Sequence, residues 1–328
     1  KPEAIGGIDM DRMKAFDPNA MGGFKADHFG AMAHTMMAAF DSERIQNFDP
    51  NATAGFGKDH MKNFDIGAMG GFKADHLEHF KPEAIGGIDM DRMKAFDPNA
   101  MGGFQAGHFG AMAHTMMEAF DSKRVENFDP SSMGGFGKDH MKNFDPAAME
   151  GFAKDHMKNF DPEAVAGFAK DHMKNLDPEA MEGFAKEHMK NFDPEAVSGF
   201  KRDHVIGMDL KAMTGFEHDH VKNLDVEAKE GFGDKVPDFG DFTVEIRREL
   251  VDDSESLLVG VGSFDDLAKL ATADPATMDA AELKELGWDK AAELISKAAS
   301  LDLGTEAGSI TIPDDAAAKA LAAFAAAG

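Results

Sequence analysis

An apolar residue stands at every eighth position from Ile8 to Phe232, twenty-nine times in succession, with no insertion or deletion to disturb the register. Phe fills twenty-two of these places; the others are Ile8, Met32, Ile88, Met112, Leu176, Met208 and Leu224. A second apolar position, the fifth of each octad, runs from Ile5 and Met13 to Val221 and is broken only by Thr53 and Lys229. A strict short period over so long a stretch marks a tandem-repeat architecture whose building unit is the octad.

Octads of two kinds mostly alternate. One reads Asp161-Pro162-Glu163-Ala164-Val165-Ala166-Gly167-Phe168, the other Ala169-Lys170-Asp171-His172-Met173-Lys174-Asn175-Leu176. Together they form a 16-residue pair. Above the pair, residues 1–50 recur almost verbatim at 81–130, an offset of ten octads. Such block duplication suits a solenoid in which each unit touches only its neighbours.

The first kind of octad carries helix-start chemistry: Asp as N-cap, Pro at the first helical position, and Glu near the positive helix end. Gly or Asn fills the seventh position in twenty-two of twenty-nine octads. These residues tolerate the left-handed conformation that ends helices, so a left-handed stop is expected there, followed by Phe as an apolar anchor. A helix of one or two turns is unstable alone and must bury its Phe and Met against neighbouring octads. The expected fold is an all-α repeat, an α-solenoid of very short helices with an 8-residue unit and a 16-residue pair. Its core would be ladders of Phe and of Met, Val or Ile. A rival arrangement fuses two octads into one helix of about 14 residues in an antiparallel α-solenoid. Recurrent mid-helix Gly favours the short helices, and the 3, 5, 3, 5 apolar spacing argues against a β-solenoid.

Residues 1–232 therefore form the octapeptide-repeat solenoid and residues 233–328 a small C-terminal α or α+β domain that caps it or assembles it. The tail has one Met, no His and four Phe. Short strands are expected at Thr243–Leu250, which reads equally well as a helix, at Leu257–Val261 and at Ser309–Ile312, with helices between and after them. Open solenoid ends expose core and need such a cap.

Ten of fourteen His fall at one phase: 28, 60, 76, 108, 140, 156, 172, 188, 204 and 220. Asp precedes most of them. With one octad pair per coil, His140, His156, His172, His188, His204 and His220 would stack into a ladder flanked by carboxylates, a candidate site for zinc or nickel. Arg12, Arg44, Arg92 and Arg124 share the phase, so the alternative is a structural ladder that forms salt bridges or packs near a helix C-terminus. The acidic surface offers diffuse calcium binding as a further option, although no EF-hand or calcium β-roll pattern is present. Met is locked to the core phase, so it packs rather than binding copper.

Composition removes several classes. There is no Cys, hence no disulfide framework, thiolate metal site or thiol nucleophile. A net charge of -26 repels phosphate backbones and anionic lipid. No apolar run approaches a membrane span. No catalytic motif is present, and identical residues repeated many times do not make the single asymmetric constellation an active site requires. No signal peptide is visible, and the start at Lys1-Pro2 falls within a repeat, as expected of a mature piece or fragment.

The octad Asp177-Pro178-Glu179-Ala180-Met181-Glu182-Gly183-Phe184, and residues 145–152 with Ala147 in place of Glu, resemble octapeptide tracts of the form x-x-Pro-Glu-Gln-apolar-x-x-Leu in large secreted or cell-surface proteins of bacteria. The resemblance spans residues 1–232; Phe for Leu and the His-bearing octads depart from it. It implies an extracellular or surface rod, filament component or adhesin spacer, and no catalytic residues. The expected function is thus non-enzymatic and structural, without cofactor, through self-association or neighbouring domains of a longer chain. The alternatives are a metal-binding protein using the His/Asp ladder or acidic face, and a partner-binding solenoid scaffold.

Overall fold

In a computed structural model the described residues are 5–235, together with 303–305 and 308–310. The repeat is an all-α solenoid of very short helices. The fused-helix alternative is not what forms: each octad from 9–16 to 217–224 makes its own element.

The two octad types fold differently. The Asp-Pro type mostly makes a 3-10 helix, as at Pro98–Gly103, Pro146–Gly151 and Pro178–Gly183. The His- or Arg-bearing type makes one turn or a little more of α-helix, as at Met90–Ala95, Lys154–Lys158 and Lys170–Asn175. In the Asp-Pro type the Asp carboxylate accepts from the backbone N–H two residues on, as Asp177 does from Glu179, and Pro occupies the first turn. The N-cap chemistry is as the sequence predicts. The 3-10 winding is not something that capping chemistry alone specifies.

Among the described residues, neither the seventh-position Gly nor the cap residue Asn127 takes the expected left-handed stop. Helices end directly in extended backbone at the octad Phe, for example Phe104 at φ -74, ψ 131. The cap Asn127 stays right-handed at φ -89, ψ -1, and none of Gly55, Gly103, Gly135, Gly151 and Gly167 has positive φ. Gly is there for another reason. A Cβ on Gly103 would run into the carbonyl of Ala74, and the same clash links Gly135 to Ala106, Gly151 to Ser122 and Gly167 to Lys138, each on the preceding coil. These glycines let one coil lie against the backbone of the coil before it. Asn at the equivalent place donates from its side chain to a carbonyl in the preceding turn, as Asn159 does to Asp155 at 2.8 Å, and closes the helix end.

That spacing also fixes the coil. Contacts from one coil to the next join octads three to four apart. Phe136 meets Phe160 with ring centroids 6.0 Å apart, and Phe168 meets Phe192 at the same distance; Arg124 reaches the Lys94 carbonyl at 2.6 Å. A coil therefore takes three to four octads, not the two expected. Neighbouring octads also stack their rings, as Phe64 does with Phe72 at 5.4 Å and Phe152 with Phe160 at 5.5 Å. Edge-to-face and tilted pairs of this kind add to plain area burial.

The core follows the predicted phases. Phe56, Phe96, Phe152 and Phe200 are buried, as are Met61, Met101, Met149 and Val205. Thr53, one of the two breaks in the pattern, is buried too, its hydroxyl shared between the carbonyls of Pro50 (2.7 Å) and His76 (2.8 Å).

The chain divides into two compact units. The first comprises Lys1–Phe184 with Asn191–Ala196, the second Ala185–Lys190 with Val197–Gly328. The second repeats the same local devices: Gly215 is pressed on the Lys186 carbonyl, and Phe216 packs on Phe232 with centroids 5.5 Å apart. It also holds a short antiparallel pair, Leu303–Thr305 with Gly308–Ile310, in which Gly304 faces Ser309. This overlaps the strand expected at Ser309–Ile312. The other tail elements expected from the sequence lie outside the described residues.

Candidate functional site

The histidines are the recurrent ligand-type group that the sequence singles out most sharply. Nine of the ten at the shared phase are buried: His60, His76, His108, His140, His156, His172, His188, His204 and His220. Each sits at the third position of its α-turn, and its Nδ1 accepts the backbone N–H of the residue just before that turn. The distance is 3.0 Å from Gly137 to His140 and 2.9 Å from Ala153, Ala169, Ala185, Lys201 and Glu217 to His156, His172, His188, His204 and His220. This is the reciprocal half of a capping box, with imidazole in the role usually taken by Glu or Gln.

An Nδ1 that accepts leaves the proton on Nε2. That nitrogen donates across the coil to a carbonyl 28 residues back: His76 to Phe48 (3.1 Å), His108 to Phe80 (2.7 Å), His140 to Met112 (3.2 Å), His156 to Phe128 (3.0 Å) and His172 to Phe144 (3.0 Å). The ring is thus a neutral strut between its own helix start and the previous coil. Burial holds His60, His76, His108 and His140 below the ordinary imidazole value, because a charged ring would lose its hydration there.

This geometry bears on the predicted ladder in three ways. A step of two octads is little more than half a coil, so His140, His156, His172, His188, His204 and His220 do not form the expected column of adjacent rungs. The imidazoles cap the N-termini of their own helices, and Nε2 of His76, His108, His140, His156 and His172 reaches the carbonyl just past a helix of the preceding coil, as the expected packing near a helix C-terminus requires. The carboxylates beside them in sequence turn outward to lysines: Asp155 to Lys158 at 3.1 Å, Asp171 to Lys174 at 2.9 Å and Glu187 to Lys190 at 3.0 Å. Among the described residues no group of three or more His, Asp or Glu is placed to hold a metal ion.

The arginines at the same phase solve the same problem with a second set of atoms. Arg92 donates from Nε (3.1 Å) and Nη2 (2.9 Å) to the Phe64 carbonyl, again 28 residues back. Its helix start is capped by Asp89, which accepts the Arg92 N–H at 3.0 Å and pairs with the guanidinium. The sequence carries a signal for this that the reading of single octads misses. Wherever Arg stands at the fourth position, Asp stands at the first (9, 41, 89 and 121), and wherever His stands there, the first residue is never Asp. One octad needs one cap, supplied either by Asp or by His.

Two grooves open on the surface in equivalent places. One, of about 230 Å³, is lined by Gln46, residues 70–74, Asp97, Asn99 and Ala100. The other, of about 460 Å³, lies ten octads further on and carries Glu126, Glu150, Asp177, Glu179 and Glu182, with Lys154 paired to Glu182.

No protein-family model matches the chain, and a search of curated proteins finds no relative. Among the described residues no helix is long and apolar enough to cross a membrane.

Proposed function

We propose that the chain is a non-enzymatic structural repeat protein, a spacer or assembly component that works outside the cell or at its surface. The observation that carries this reading is the use made of the imidazoles: both nitrogens of the buried rings hold backbone to backbone, and the flanking carboxylates pair with lysines. The side chains suited to catalysis or metal binding are spent on keeping octads in register. The acidic, Cys-free composition and the likeness of the Asp-Pro-Glu octads to surface-protein tracts support the location.

The test is a titration of the chain with zinc and with calcium, followed by calorimetry and by the imidazole resonances. The reading expects ring Nε2–H signals to persist and no saturable uptake at the histidines. Uptake of several zinc ions per chain with loss of those signals would replace it with the metal-binding alternative. A second reading, a partner-binding scaffold, is favoured by the recurrence of one groove at a ten-octad spacing, and a labelled basic peptide bound at both grooves would support it.

A further inference from the structure

The carbonyl that accepts from a buried imidazole ends one octad, and the next octad starts directly after it. At His76, His108, His156 and His172 that start contains Pro: Asp49-Pro50, Lys81-Pro82, Asp129-Pro130 and Asp145-Pro146. At His60 and His140 it does not. The carbonyls of Met32 and Met112 are followed by Ala33-His34 and Ala113-His114. Neither Ala caps its 3-10 helix, His34–Ala39 or His114–Ala119, through a side chain. The extra His is exposed in both places and lies edge to face on the buried ring. Ring centroids are 4.5 Å apart for His34 with His60 and for His114 with His140. The bonds from His60 to Met32 (3.4 Å) and from His140 to Met112 (3.2 Å) are the longest of these six; the others span 2.7 to 3.1 Å. The second junction lies inside the repeat with octads on both sides, and it repeats the geometry of the first.

Few charges surround each pair. His60 shares the helix Lys58–Asn63 with Lys58 and with Asp59, which pairs with Lys62 at 3.4 Å. That helix packs on His34–Ala39 and on Pro82–Ile85, which brings Glu83. The helix Ala26–Gly30, whose Phe29 backbone bears on His60, brings Asp27 and His28. His34–Ala39 packs also on Met10–Lys14, with Asp11, Arg12 and Lys14. Around His140 stand Lys138, Asp139 and Lys142 on its own helix, and Glu118 beside His114. Asp91, Arg92 and Lys94 come from Met90–Ala95. Burial acts most strongly on His60 and His140; among the charges the facing His ranks first, opposing a proton, and Asp59 or Asp139 follows, favouring one.

We infer that these two imidazole pairs are acid-operated joints, at which neighbouring coils part before the junctions at His76 and His108 do. Closed, a pair cannot carry charge on both rings without repulsion and without stripping water from the buried one. Parted, both rings meet solvent and each can take a proton. Opening therefore draws protons in, and acid favours it. A proton on His60 Nδ1 also ends the bond from the Gly57 N–H, because a charged imidazole has donors only. The helix Lys58–Asn63 then loses its N-terminal cap against a partner helix that has no Asp cap of its own. The Pro-containing junctions have a single ring each and a pre-set helix start.

Hydrogen exchange of the full chain, read by mass spectrometry at neutral pH and at pH of about 5 with the chemical exchange rate normalised, tests this. Segments 57–64 and 137–144 should lose about tenfold more protection in acid than segments 73–80 and 105–112, as the loss of one buried hydrogen bond implies. Ala33→Asp and His34→Pro together with Ala113→Asp and His114→Pro restore the common helix start and should remove the difference. His34→Phe with His114→Phe keeps a ring on the strut, takes no proton, and should do the same. Equal loss at all four segments of the parent would overturn the inference, whatever the variants do. A difference that survives both sets of substitutions would overturn it too. Either failure leaves the structural reading in place, since that reading turns on metal uptake by the histidines.

Discussion

His156 and Phe128 are joined through a single imidazole: Nε2 donates to the Phe128 carbonyl at 3.0 Å while Nδ1 accepts the Ala153 N–H at 2.9 Å. The bond to Phe128 spans 28 residues of sequence and one turn of the coil. His156→Ala removes both hydrogen bonds and strands a carbonyl and an N–H in a buried place. The expected loss is about 2–4 kcal/mol, from two hydrogen bonds and the desolvation of their partners. Asp155→Ala should cost less than about 1 kcal/mol, since its pair with Lys158 is exposed. Urea unfolding of the two variants checks the order; a costlier Asp155 change would mean the carboxylate, not the imidazole, secures the octad.

Acid should loosen the repeat before it protonates most carboxylates. Burial holds His60, His76, His108 and His140 low, so over this range the unfolded chain binds more protons than the folded one. Their contribution is complete above the ordinary imidazole value of about 6.5 and is lost as pH falls through the folded values. Charged neighbours rank behind burial as causes. Asp59 and His34 lie by His60; Lys73, Asp75 and His79 lie by His76; and Asp139 and His114 lie by His140. Melting temperatures taken in high salt, which screens the net charge of -26, should fall between neutral pH and pH of about 5. A flat or rising profile would contradict the strut geometry.

The glycines of the repeat should separate into two classes. Gly151→Ala forces a Cβ into the Ser122 carbonyl and toward Val125, which should cost about 3 kcal/mol or more. Gly30→Ala meets nothing within 4 Å and lies in a short helix, so it should stabilise by roughly 0.5–1 kcal/mol. Thermal melting of the two variants checks the contrast; equal losses at both positions would mean that close approach to the preceding coil is not what selects Gly151.

Length should be adjustable in steps of sixteen and not of eight. Deleting residues 145–160 removes one octad of each kind and keeps every later Gly opposite a helix start and every later His opposite an octad-end carbonyl. Deleting residues 153–160 alone places two Asp-Pro octads in succession and sets Gly against the wrong element. Circular dichroism and cooperative melting should survive the first deletion and not the second. Phe160→Ala, by comparison, should cost about 3–5 kcal/mol as a cavity in an otherwise regular core.

Much of this was legible in the octad. The apolar phases named the core, and Asp-Pro named the helix starts, because both are local chemistry. The coil length, the purpose of Gly103 and the role of His108 were not, because each depends on a residue in the coil before. No local propensity encodes how many octads close a turn. A ring flanked by Asp looks like a ligand set until the fold puts the imidazole inside and the carboxylate outside. The alternation of Asp-with-Arg and His-without-Asp is the one written trace of the capping rule, and it is visible only when octads are compared with one another.

The bridges formed by His76, His108, His140 and His156 all end on main-chain oxygen. A main-chain acceptor is blind to the side chain of the residue that offers it. Any octad pair can therefore follow any other without a matching change in its neighbour. Unequal recombination can lengthen or shorten the gene by whole pairs and still yield a foldable product at the first attempt. The near-verbatim recurrence of residues 1–50 at 81–130 is the mark such an event leaves.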